Sequence, residues 1–116
     1  MKLYHLVPPE QWEQLKDDTF YAPPSLEQEG FIHCSSAEQV LPSANRHFAG
    51  RTSLLLLVIN PEKVSARIVF EDLSGGGTEF PHIYGQLPMQ AIEAVIPLKP
   101  EADGRFSFLP PTAFES

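Results

Sequence analysis

The chain has little of several things, and each shortage excludes a class of protein. There is one cysteine, Cys34, in 116 residues. A lone thiol cannot close an internal disulfide, so a reducing setting is expected. Basic residues are scarce: eight Lys and Arg face 15 Asp and Glu, for a formal charge of −7. They are also scattered, which argues against a nucleic-acid partner, since a surface that tracks phosphates needs clustered cations. The longest apolar run, residues 54–59 (LLLLVI), is far short of the roughly 20 residues of a membrane helix, so no membrane partner is expected. Residues 1–7 are too short and too polar to read as a secretory leader, and the expected compartment is the cytoplasm. Neither His-x-x-x-His nor Cys-x-x-Cys spacing occurs, and no metal is expected.

What is present is enough for one domain. An apolar fraction of 42% with eight Phe supports a packed interior. Twelve Pro and seven Gly punctuate it into short elements. The expected core spans about 2–110, with an extended tail at 111–116. Residues 2–7 (KLYHLV) read as a strand and 9–16 as a helix with Trp12 and Leu15 on one face. Residues 17–24 form a loop. Ser25 to Gln28 has capping-box form, with Gly30 ending a single turn. Residues 31–35 alternate as a strand, with Phe31, His33 and Ser35 on one face and Ile32 and Cys34 on the other. A second capping box at Ser36–Gln39 predicts a helix to Phe48, kinked or split by Pro42.

Residues 53–59 are apolar on both faces, as in a central strand covered on both sides. Strands follow at 66–71, 80–84, 92–98 and 105–109, the last with Phe106 and Phe108 on a shared face. The glycine-rich 73–78 stretch (LSGGGT) reads as a flap over a cleft or as a hairpin tip. The class is α+β: a mixed or antiparallel sheet of about six short strands, with helices mainly in the N-terminal half.

The chemistry concentrates at two corners, EGFIHCSS (29–36) and PHIYG (81–85). Of four histidines, His47 near a helix C-terminus is explained by the helix dipole. His33 and His82 sit among turn formers and small polar residues. Either can line a site, and either can simply satisfy hydrogen bonds. Cys34 shares its face with Ile32 and reads as core. Ser35 and Ser36 precede a helix, where free N–H groups favour anions, while Ser36 can equally be only a cap. Arg46 is a candidate anion partner. A three-histidine metal site from His5, His33 and His82 requires their strands to adjoin.

The segments YHLV, EGFIHCS, LLLLVI and FPHIYG identify the chain as a member of the bacterial domain-of-unknown-function family 952. That family resembles the ADP-ribosyltransferase fold, which implies a cleft able to hold NAD. Under that resemblance His5, on the first strand, contacts a ribose hydroxyl or amide. Phe31, His33, Ser35 and Ser36 line the nicotinamide or phosphate pocket, and His82 with Tyr84 takes the place of a third motif. The fold's usual glutamate there is missing, with Glu79 lying just before. The implied activity is transfer at the ribose–base bond, with His5, His33 and His82 as the catalytic group. The alternatives are a non-catalytic binding module for a small molecule or peptide, and a histidine-based metal protein.

Overall fold

The computed structural model of the chain describes residues 1–107. Eight strands among them form three small antiparallel sheets, where one sheet of about six strands was expected. In chain order the elements are β1 (Leu3–Val7), α1 (Pro9–Leu15), β2 (Phe20–Tyr21), α2 (Pro24–Glu29), β3 (Ile32–His33), α3 (Val40–His47), β4 (Leu54–Ile59), β5 (Arg67–Glu71), β6 (Phe80–Tyr84), β7 (Leu87–Pro88) and β8 (Ile92–Leu98). Sheet orders are β1-β4-β8, β2-β7 and β3-β6-β5. All three α-helices precede β4, as the sequence predicts. None of the described helices is long and apolar enough to cross a membrane.

The unbroken apolar run of β4 is divided between two cores. Leu57 and Ile59 pack with Leu3, Val7, Ile32, Ile83 and Leu87 on one side. Leu54, Leu56 and Val58 pack with Val40, Ala44, Ile96, Leu98 and Phe106 on the other. Alternation along a pleated strand sends neighbours to opposite faces, so an all-apolar strand needs cover on both.

Two boundaries differ from expectation for identifiable reasons. The helix expected from Ser36 begins at Val40, preceded by a turn at 37–39. A helix running through Pro42 from Ala37 would need an N–H from Pro42 to the Glu38 carbonyl, which proline lacks and its ring would strike. Starting at Val40 puts Pro42 in the first turn, where the missing donor costs nothing. In α2, Pro23 occupies the cap position; Ser25 instead donates its hydroxyl to the Phe31 carbonyl at 3.0 Å. Gly30 does close that helix, in the left-handed region at φ 89°. A short pairing of β2 with β7 places Phe20 and Tyr21, in the stretch expected as loop, in a two-stranded sheet. Arg105–Ser107 of the expected last strand carry no strand; their backbone is pinned to α3 by Asn45, which donates to the Phe106 carbonyl and accepts its N–H. The remainder of that strand, Phe108 included, and the tail lie outside the described residues.

Two substitutions test this packing by urea unfolding. Leu57→Ala should cost about 2–5 kcal/mol, the range for a buried leucine that leaves a cavity. Gly85→Ala should cost about 1–3 kcal/mol, because an added Cβ would sit 2.7 Å from the Cβ of Ala66. A midpoint unchanged by Leu57→Ala would contradict the two-core account.

Candidate functional site

The two larger sheets meet at a seam. Tyr4 and Ser35 exchange backbone hydrogen bonds of 2.9 and 2.7 Å, joining β1 to the strand end beyond β3. Beside them, the buried His5 ring bridges the same gap, with Nδ1 2.6 Å from the His33 carbonyl and Nε2 2.7 Å from the Tyr21 hydroxyl. A carbonyl only accepts, so Nδ1 carries the proton. Burial lowers the pKa of His5 to about 4, so the ring is neutral and its Nε2 accepts from Tyr21. Both ring nitrogens are therefore engaged.

A cleft of about 700 Å³ opens along this seam. All four histidines of the chain line it: His5, His33, His47 and His82. Phe31, Ser35 and Arg46 line it as well, so most of the residues singled out in the sequence meet there. Ser36 does not; its N–H is bound by the Gln39 side chain at 2.9 Å, within the turn before α3. Ser35 is buried, with its hydroxyl 3.3 Å from that of Ser43. Tyr84 does not line the cleft and is linked to it through Glu71. A smaller cavity of about 460 Å³ carries Gln11, Gln14, Gln86 and Glu27 and no histidine.

The chemistry of the cleft comes from the β3-β6-β5 sheet. Register places His33 opposite His82, and His82 opposite Val69. Glu71, two residues on from Val69, lies on the same face and extends to His82, with Oε2 2.8 Å from Nδ1. The carboxylate accepts, so Nδ1 donates, and Nε2 of this cleft-lining ring makes no hydrogen bond among the described residues. The Tyr84 hydroxyl donates to the same Oε2. Tyr84, and after it His82, hold the Glu71 carboxyl below the usual carboxylate range, while Glu71 raises the phenol pKa. Phe31 stacks on His82 with centroids 4.2 Å apart and planes 27° from parallel. His33 faces solvent and donates to Glu29 at 2.8 Å. Its ring is 5.5 Å from that of His82.

Both acids of the cleft are thus partnered by histidines, and Arg46 is its unpartnered cation among the described residues. Cys34 belongs to the core, as expected, and burial pushes its thiol pKa up. Among the described residues, no group of three or more His, Cys, Asp or Glu is arranged to hold a metal ion. Glu71, Glu29 and Tyr21 are site residues that the sequence reading misses. For Glu71 a signal exists: the alternation that pairs Arg67 with Val69 continues to it.

The arrangement defines an α+β protein with a histidine-walled cleft in which a carboxylate orients an imidazole. The chain belongs to the family described as "Protein of unknown function (DUF952)", whose model matches residues 6–95. Its fold is similar to crystal structures of protein CC0527 from Caulobacter crescentus, both in the unaltered sequence (TM-score 0.81) and in a double mutant (TM-score 0.80). Each is 28% identical and covers 92% of this chain and 94% of that one. The solution structure of CC0527, also 28% identical, matches at a TM-score of 0.70 over 90% of each chain. No curated protein matches the chain.

The buried His5 makes a pH prediction. The unfolded chain takes up this proton near pH 6.5, whereas the folded chain resists until about pH 4. Stability should therefore fall as pH drops through that window, by roughly 3 kcal/mol in total. His47, also lowered, acts in the same direction. Urea midpoints measured across the window should decline in the wild type and decline less in His5→Gln. Equal slopes would show that His5 is not the group responsible.

Proposed function

We propose that the chain is a small-molecule enzyme, with a cleft that binds an anionic nucleotide of the NAD type and His82 acting as its proton acceptor. The carrying observation is the 2.8 Å bond between Glu71 and His82 Nδ1, which leaves the second nitrogen of this cleft-lining ring without a hydrogen-bond partner among the described residues. A carboxylate on one nitrogen fixes the tautomer and orientation of an imidazole, so that the other can take a proton. The cleft volume lies within the range of ordinary ligand sites. Phe31, already stacked on His82, provides a wall for a planar ring. Arg46, with no counter-ion among the described residues, suits a phosphate.

Bound NAD would supply a labile ribose–base bond. In that reading His82 Nε2 accepts the proton of the attacking hydroxyl, and Glu71 balances the resulting imidazolium. The bond to the incoming oxygen forms as the bond to the base breaks, and the electron pair leaves with the base. His33 and Arg46 orient the anion. His5, whose nitrogens are both occupied, acts by positioning His33 and not by touching the ligand. Glu71 supplies an acid to the site from β5, in place of the glutamate that the transferase fold carries on a later strand. That difference from the fold's pattern favours the second reading, a binding module without turnover.

Thermal-shift titration of wild type, His82→Ala and His33→Ala with NAD, ADP-ribose and nicotinamide tests both. Ligand at 100 times its Kd adds about 2.7 kcal/mol, on the order of 10 °C for a domain this size. A shift in wild type that both variants reduce is expected, together with release of nicotinamide from NAD that His82→Ala abolishes. Binding without release would establish the module, and no shift with any of the three would remove NAD.

A further inference from the structure

The β3-β6-β5 sheet ends at β5, and no strand among the described residues pairs with its outer edge. Among the described strands of five or more residues, β5 alone has no buried residue, although its centre is Ile68-Val69-Phe70. Phe70 is 44% exposed, and the nearby Leu73 is 61% exposed. Free edges are normally blunted by proline, bulges or interior charge. The opposite sheet follows that rule, with Glu93 and Pro97 in its edge strand β8 and a register shift in the β8 pairing. By contrast, β5 pairs with β6 in five regular steps and bears charge only at its ends.

The order of residues in β5 is self-complementary. Read against a second copy antiparallel about Val69, Arg67 faces Glu71, Ile68 faces Phe70, and Val69 faces itself. Every opposed pair is then of opposite charge or apolar, the pairing that stabilises adjacent strands. A two-fold axis generates each contact twice, as an isologous interface requires.

We propose that β5 is a self-pairing edge, through which two copies of this chain join antiparallel about Val69 into one six-stranded sheet. The charge palindrome selects a second copy over an unrelated strand as the occupant. In the pair, both clefts share one face of the continuous sheet. The second copy's arginine at position 67 comes opposite Glu71, the residue that holds His82. This inference does not depend on what the cleft binds.

Sedimentation equilibrium of the full chain should give twice the 12.9 kDa monomer mass. Phe70→Lys, which sets a cation against Ile68 of the second copy, should return it to one. A wild type monomeric at millimolar concentration, or a dimer that Phe70→Lys leaves intact, would overturn the proposal. If Phe70→Lys does not fold, Val69→Cys decides. Residues directly opposed across an antiparallel pair lie within disulfide reach, so mild oxidation should yield a covalent dimer from Val69→Cys and none from Glu38→Cys in the exposed turn. Failure of Val69→Cys to cross-link would sink the idea.

Discussion

The site depends on one neutral imidazole. His5 ties the β1-β4-β8 sheet to the β3-β6-β5 sheet at the point where β3 is only two residues long and cannot hold itself in place. A strand that short gains little from its own ladder, so its position comes from the Tyr4–Ser35 bridge and the His5 bond to the His33 carbonyl. The His33 carbonyl fixes a proton on Nδ1, and a neutral ring then accepts from Tyr21 at Nε2. Burial enforces that form. An apolar residue at this position would leave Tyr21 and the His33 carbonyl without this complement, at a cost of about 1–3 kcal/mol for each buried polar group.

From that seam follows the charge pattern of the cleft. A chain with a formal charge of −7 gathers all its histidines and one arginine around a single cavity. The two carboxylates that enter it are each bound to an imidazole. The aromatic contact of Phe31 with His82 narrows the rotations open to that ring, so the carboxylate of Glu71 meets an imidazole already oriented.

Local patterns in the sequence reveal the elements well and their assembly less well. The two-sided burial of β4 is legible because a strand apolar on both faces must be covered on both. The register of residues 31–35 is legible from alternation alone, and Ile32 and Cys34 do enter the core. The start of α3 is misplaced by its capping box, a four-residue signal, whereas Pro42 acts four residues upstream of itself. Glu71 is hidden from a search for an acid within the PHIYG corner. It arrives from the neighbouring strand, and its proximity to His82 is a property of hairpin pairing, not of sequence distance. Division into three sheets is likewise invisible, since β2 and β7 are each two residues long.

The hairpin that links β5 to β6 closes on itself. Asp72 accepts the amides of Gly75, Gly76 and Gly77 at 2.7–3.2 Å, so the glycines of the tip are held from within the hairpin, while the Glu79 carbonyl at its base accepts from the Gln39 side chain at 2.7 Å. The paired stems begin at Glu71 and Phe80, outside that closed ring of bonds. Extra residues accommodated at the tip therefore leave the Glu71–His82 spacing unchanged. This makes the tip a place where chain length is decoupled from the site, and where a reporter peptide can be spliced beside the cleft while Glu71 and His82 stay in register.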